Sequence, residues 1–125
     1  MIFDTDVLIW YLRGNNKAVD AVVEAIPFSI SIVTYMELVQ GMLNKQELEK
    51  MKRIFKEMDV KVIPLTESIS FRASEYVENY SLSNSMELAD ALIASTCMEL
   101  NETLYTANDK HYKVIKDLRI KIFRP

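Results

Sequence analysis

The side chains of this protein best suited to chemistry are carboxylates in particular places. Asp4 closes the opening apolar run "MIF", and Asp6 follows two positions on. Glu37 lies in "TYMELVQGML", Asp90 in "MELADALIAS", and Asn108 with Asp109 in "LYTANDKHY". Ionised carboxylates brought together repel, and each raises the pKa of the others. A hard cation removes that repulsion. Mg²⁺ takes oxygen ligands in octahedral geometry, usually one or two carboxylates plus waters and phosphate oxygens. Such a site can polarise a phosphodiester and activate water for in-line attack. Other chemistries are excluded by residue type. One histidine and one cysteine cannot build a zinc site. Gly14 and Gly41 are the only glycines, so there is no glycine-rich phosphate loop. A Cys97/His111 nucleophilic pair is formally available, but Cys97 lies on the apolar stretch that carries Asp90 and reads as a small buried hydrophobe.

Each acid also has a plainer reading. Glu37 follows Thr34 by three residues, the spacing of a capping box. Asp4 and Asp6 suit the N-terminus of the helix that follows them, Asp109 suits the start of "KHYKVI", and Asn108 suits a turn. Asp90 is harder to explain so simply. Leu88, Ala89, Ala91, Leu92, Ile93 and Ala94 surround it, and no lysine or arginine lies within a turn. A buried ionised carboxylate shifts its pKa, finds a partner from elsewhere in the fold, or holds a metal.

The elements that must position these residues alternate in type. Short strands are expected at "MIF", "FSISIV", "VKVI", "TLYT" and "IKIF". Helices are expected at "TDVLIWYLRG" with Gly14 as its C-terminal stop, "NNKAVDAVVEAI", "TYMELVQGML", "QELEKMKRIFKEM", "TESISFRASEYVENYS", "SMELADALIASTCMEL" and "DKHYKVIKDL". Strands alternating with helices indicate an α/β fold around a mainly parallel sheet. Ligands of such folds bind beyond the carboxyl ends of the strands, where Asp4, Glu37, Asn108 and Asp109 are expected.

The 125 residues suit one domain, residues 1–125, with a single core. No apolar run reaches the roughly 18 to 20 residues of a membrane span. "MIFDTDVLIW" lacks the basic start of a signal peptide, and the lone cysteine fits a reducing compartment, so a cytoplasmic protein without membrane attachment is expected. The net charge of −3 counts mildly against a nucleic-acid binder, although carboxylates gathered for a metal tilt the sum the same way.

Four segments together, "MIFDTDVLIWYLRG", "SIVTYMELVQGM", "LADALIAS" and "LYTANDKHY", resemble the PIN-domain family, and within it the VapC-type toxins of toxin–antitoxin pairs. They occur in the family's order and spacing, over essentially the whole chain. The resemblance implies a three-layer α/β/α sandwich with five strands in the order 3-2-1-4-5. It implies endoribonuclease activity dependent on Mg²⁺ or Mn²⁺, one or two ions, with a 5′ phosphate and a 3′ hydroxyl left after cleavage. A cognate small antitoxin protein and homodimers are implied as partners. Asp4, Glu37 and Asp90 fall on the first three acidic positions and Thr106 on the supporting hydroxyl. Asn108 stands at the variable fourth position with Asp109 beside it, and Asp6 replaces a frequent asparagine. The expected metal ligands are therefore Asp4, Asp90 and Asn108 or Asp109, with Glu37 holding water or a second ion and Asp6 and Thr106 supporting. Arg13, Lys45, Lys110 and His111 are candidates for steering phosphates, each with solvated surface charge as its plain alternative. Met36, Met42, Leu43, Met51, Phe55 and Met58 suit either core or a partner groove, and Trp10 and Tyr11 either core or dimer contacts.

Three other functions are compatible with parts of the pattern. One is a receiver-type signalling module, which also gathers acids at strand ends. It calls for a further aspartate ending the third strand, where Ile63-Pro64 stands, and a lysine after the fifth. The others keep the PIN fold, as an RNA-maturation nuclease or as an inactive scaffold.

Overall fold

The computed structural model describes residues 1–125. Five strands, β1 (Ile2–Phe3), β2 (Ser29–Ser31), β3 (Lys61–Ile63), β4 (Leu104–Thr106) and β5 (Ile120–Ile122), form one sheet in the order β3-β2-β1-β4-β5. Every pairing is parallel. Six α-helices flank it: α1 (Thr5–Leu12), α2 (Asn16–Ala25), α3 (Ile32–Gln40), α4 (Lys45–Glu57), α5 (Glu67–Asn84) and α6 (Leu88–Leu100). No helix is long and apolar enough to cross a membrane.

Alternation along the strands builds the layers, because successive side chains leave a strand on opposite faces. Ile2 pairs with Leu104, and both join a buried cluster with Ala73 and Tyr76 of α5 and Ala91, Ile93, Ala94 and Cys97 of α6. Phe3 pairs with Tyr105, and both join a second cluster with Val7 and Leu8 of α1, Ala18 and Val22 of α2, and Met51 and Phe55 of α4. Phe3 stacks on Tyr105 at 5.2 Å between ring centroids and meets Phe28 edge-on at 4.6 Å. Burying an aliphatic or aromatic side chain of this size contributes roughly 1.5–3 kcal/mol. The sheet is therefore covered on both faces, and its carboxyl edge is left as the place where polar groups can gather.

Helix boundaries follow local hydrogen bonding, and three differ from the sequence reading. The β-branched pair Ile32-Val33 reads as the end of a strand, yet α3 begins at Ile32 because the Ser31 hydroxyl accepts from the Val33 N–H at 3.0 Å. α6 begins later than expected: Ser85 turns the chain with φ +56°, and Glu87 caps the helix that starts at Leu88. "DKHYKVIKDL" is not an α-helix. A short 3₁₀ turn spans Asp109–His111. The stretch then carries three-residue hydrogen bonds from Tyr112 N–H to Asp109 O, Ile115 N–H to Tyr112 O and Leu118 N–H to Ile115 O. α1 ends at Leu12, and the chain turns just beyond it at Gly14, whose φ of +81° favours glycine.

Candidate active site

Strand β1 carries Asp4 to the carboxyl edge of the sheet, and α1 starts at the next residue. Asp4 therefore ends a strand and caps a helix: its Oδ1 accepts from the Thr5 N–H at 2.8 Å. Its Oδ2 accepts from the Thr106 hydroxyl at 2.8 Å, a contact fixed by the Phe3–Tyr105 register one residue back. Thr106 is fully buried, and its oxygen in turn accepts from the Asn108 N–H at 2.9 Å. Asp6 folds back over the same edge. Its Oδ1 accepts from the Val7 N–H at 2.7 Å and its Oδ2 from the Ala107 N–H at 3.1 Å.

Burial and the facing Asp6 carboxylate push the Asp4 carboxyl up to about 7. Hydrogen bonds from Thr106, the Thr5 N–H and Tyr112 oppose that rise without cancelling it. Asp6 is also raised, by burial first, with the Asp90 charge adding to it.

Asp90 does not lie in the middle of a buried helix. It is the third residue of α6, in the first turn, where the helix dipole favours a negative charge. Its Oδ2 accepts from the Glu87 N–H at 3.3 Å, which makes Glu87 and Asp90 a reciprocal capping box. The Tyr112 hydroxyl donates to its Oδ1 at 3.3 Å, and His111 Nδ1 lies 3.1 Å from its Oδ2. No lysine or arginine pairs with Asp4, Asp6 or Asp90.

Glu37 reaches this group through Thr5. It sits in the second turn of α3, since the cap is Ser31, and so cannot form the box expected with Thr34. Its Oε1 accepts from the Thr5 hydroxyl at 2.7 Å, whose oxygen lies 3.1 Å from the buried Thr34 hydroxyl.

Asp109 takes another course. Its Oδ1 is 3.0 Å from Arg124 Nη2 and its Oδ2 is 3.0 Å from Lys113 Nζ. These two cations hold its carboxyl at about 2. Asn108 is exposed, and its side-chain amide lies 3.1 Å from His111 Nδ1. Lys110 is exposed on the same 3₁₀ turn. Arg13 lines a groove of about 760 Å³ with Leu12, Leu38, Met42, Met51 and Ile54, and Glu37 is part of the same wall. Lys45 belongs to a smaller polar cleft with Gln46, Glu49 and Arg53. Cys97 is buried, with its thiol pushed up by burial, and makes no pair with His111.

The sequence reading missed Tyr112. Its ring is fully buried in the α5–α6 cluster, which is what a tyrosine in an apolar stripe leads one to expect. Its hydroxyl alone reaches the acids, and nothing in the residue pattern marks that.

No three of these side chains close on one point tightly enough to grip an ion outright. The donor set nevertheless fits a hard cation. It is all oxygen, it is short of positive charge, and its central carboxylate is driven toward the protonated form by burial and by the Asp6 charge.

The pattern of the PIN domain matches residues 1–117. The chain belongs to the PIN-domain family. Ribonuclease VapC1 of Methanocaldococcus jannaschii is 29% identical to it over 124 residues, covering 98% of this chain and 86% of that one. Among solved structures, VapBC-1 from nontypeable Haemophilus influenzae superposes with a TM-score of 0.79 at 23% identity over 98% of both chains. A toxin–antitoxin complex from Klebsiella pneumoniae superposes with a TM-score of 0.74 at 24% identity, over 94% of this chain and 93% of that one. The α/β/α sandwich and its 3-2-1-4-5 strand order are thus those of a PIN domain, as the sequence motifs imply.

Proposed function

We propose that this single PIN domain, residues 1–125, is a divalent-metal-dependent endoribonuclease and the toxin of a VapBC-type pair. The observation that carries the reading is the group of Asp4, Asp6 and Asp90 at the carboxyl edge, the first buried and the other two half-buried, with no lysine or arginine to balance it. The name of the M. jannaschii relative supports a ribonuclease, and the solved VapBC complex supports an antitoxin partner.

Asp4, Asp6 and Asp90 are the side chains that would hold one or two Mg²⁺ or Mn²⁺ ions. Asp6 takes the share expected of Asn108 or Asp109, because Asp109 is committed to Arg124 and Lys113. A bound ion supplies Lewis-acid polarisation of a phosphodiester and a more acidic water. The remaining work falls to the chain. Thr106 and the Thr5 N–H fix both oxygens of Asp4, so the carboxylate cannot rotate away. Glu37 is anchored through Oε1, which leaves Oε2 to take a proton from an attacking water. His111 and Lys110 stand at the rim, where they can draw the RNA backbone toward the acids.

The groove between α1, α3 and α4 accommodates an antitoxin segment: its apolar floor includes Leu38, Met42 and Met51, and its wall includes Glu37. An inhibitor seated there would lie beside the site. Phe71, Leu82 and Leu88 are exposed on α5 and at the start of α6, and offer apolar surface to a second copy.

The test is incubation with total RNA in the presence of Mg²⁺ or Mn²⁺, with EDTA as the control. Cleavage that stops with EDTA and returns with the ion is expected. Undiminished cleavage in EDTA overturns the metal-dependent reading, and intact RNA under all conditions overturns the nuclease.

A further inference from the structure

Asp4 and Asp90 arrive at the site from unrelated elements, the end of β1 and the first turn of α6. Asp4 is held by the Thr5 N–H and the Thr106 hydroxyl, whereas Asp90 needs a holder of its own. The Tyr112 hydroxyl reaches it from the core, donating to Asp90 Oδ1 at 3.3 Å. A phenol has one proton to donate, and here it is directed at Asp90.

The hydroxyl is rigidly placed. Tyr112 is 0% exposed, its ring packed among Ile2, Ala91, Ala94 and Ile115. Its backbone N–H is tied to Asp109 O at 3.0 Å, and Asp109 is itself pinned by Arg124 and Lys113. A phenylalanine would fill the same volume in the core. Only the oxygen touches the acids.

We propose that Tyr112 is a positioning residue, whose buried hydroxyl fixes the orientation of the Asp90 carboxylate ready for a divalent cation. This rests on reading the acids as a cation site, and it does not depend on RNA being the substrate. Groups that orient ligating side chains typically change metal affinity or activity by about 10- to 100-fold when removed.

The test is Tyr112→Phe, with Tyr76→Phe as a control that deletes a hydroxyl from the same core cluster. Mn²⁺ binding is followed by electron paramagnetic resonance and by calorimetry. Tyr112→Phe should bind Mn²⁺ at least about 10-fold more weakly, with kcat lowered and KM for RNA unchanged. Tyr76→Phe should match wild type. Unchanged Mn²⁺ affinity in folded Tyr112→Phe overturns the proposal, and so does equal weakening by Tyr76→Phe, which would assign the effect to packing. Should Tyr112→Phe fail to fold, the tyrosine ring-carbon NMR resonances of the wild-type protein decide the matter. Addition of Mg²⁺ should shift the Tyr112 Cζ signal, and a signal that stays put overturns the proposal. Wild-type protein that binds no divalent ion sinks both the cation site and this inference. Wild type that binds Mn²⁺ but cuts no RNA sinks the nuclease alone.

Discussion

Asp4 and Asp109 stand just past neighbouring strands at the same edge of the sheet, and both are buried, at 7% and 6% exposure. Their carboxyls could hardly differ more: one is pushed up to about 7, the other held at about 2. Burial raises Asp4 first and the Asp6 charge adds to it, whereas two cations outweigh burial at Asp109. Asp4 faces Asp6 and two hydroxyls, whereas Asp109 faces a guanidinium and an ammonium. Burial alone therefore does not mark a functional acid. A buried acid whose charge is already balanced is a clip, and one whose burial and neighbouring acid leave its charge costly is ready for a cation.

The largest expected effect separates the two directly. Asp4→Asn or Asp90→Asn should lower RNA cleavage by more than about 100-fold, beyond what loss of an orienting group typically costs, while circular dichroism shows a folded chain. Asp109→Asn should keep cleavage within a few-fold of wild type. Loss of cleavage in all three variants would erase the distinction between site and clip.

Next is Thr5→Val, which removes the link to Glu37 and keeps the shape of the side chain. A fall in kcat of about 10-fold with unchanged melting temperature is expected, as for an orienting group. An unaffected rate would take Glu37 out of the chemistry or show that it orients itself.

The comparison also predicts opposite pH slopes for the metal-free protein. Unfolded, both acids release their proton near 3.8; folded, Asp4 keeps its own up to about 7. The stability Asp4 contributes is thus complete below 3.8 and is lost as pH rises through 7. Asp109 contributes above 3.8, and loses that contribution as pH falls through about 2. Melting temperature in EDTA should therefore fall between about pH 4 and about pH 7 in wild type, and less so in Asp4→Asn. A divalent ion, which prefers the ionised carboxylates, should flatten the wild-type slope. The smallest effect is that of Arg124→Ala. It should leave cleavage in place and cost some resistance to acid, because Arg124 is largely exposed and Lys113 remains.

Much of this was readable from the residues. Apolar runs bounded by acids, Pro64 and Gly14 mark the strands and helix ends, and acids at strand ends mark the edge where the site forms. The failures have physical causes. Tyr112, Ile115 and Leu118 recur every three residues, and over ten residues a period of 3.0 looks the same as one of 3.6. Ile32-Val33 has strand composition, but the Ser31 hydroxyl supplies a cap, which moves Glu37 from the first turn of its helix to the second. Asp90 looked like an unbalanced charge because its apolar neighbours are consecutive in sequence. In space they point elsewhere, and Leu88 is 68% exposed. In the proposed site Asp6 stands in for Asp109, because Arg124, fifteen residues further along, pairs with the latter.

The hydrogen bond between Thr106 and Asp4 joins residues 102 positions apart. Its consequence lies in the order of synthesis. β1, the central strand, is made first, and must wait for β4 before its second neighbour exists. A growing chain carries Asp4 early, but the hydroxyl of Thr106 that sets it in place comes only 102 positions later. Such long-range closure is also slow to form. While it is still being translated, this protein holds the first acid of the proposed site without yet having the site.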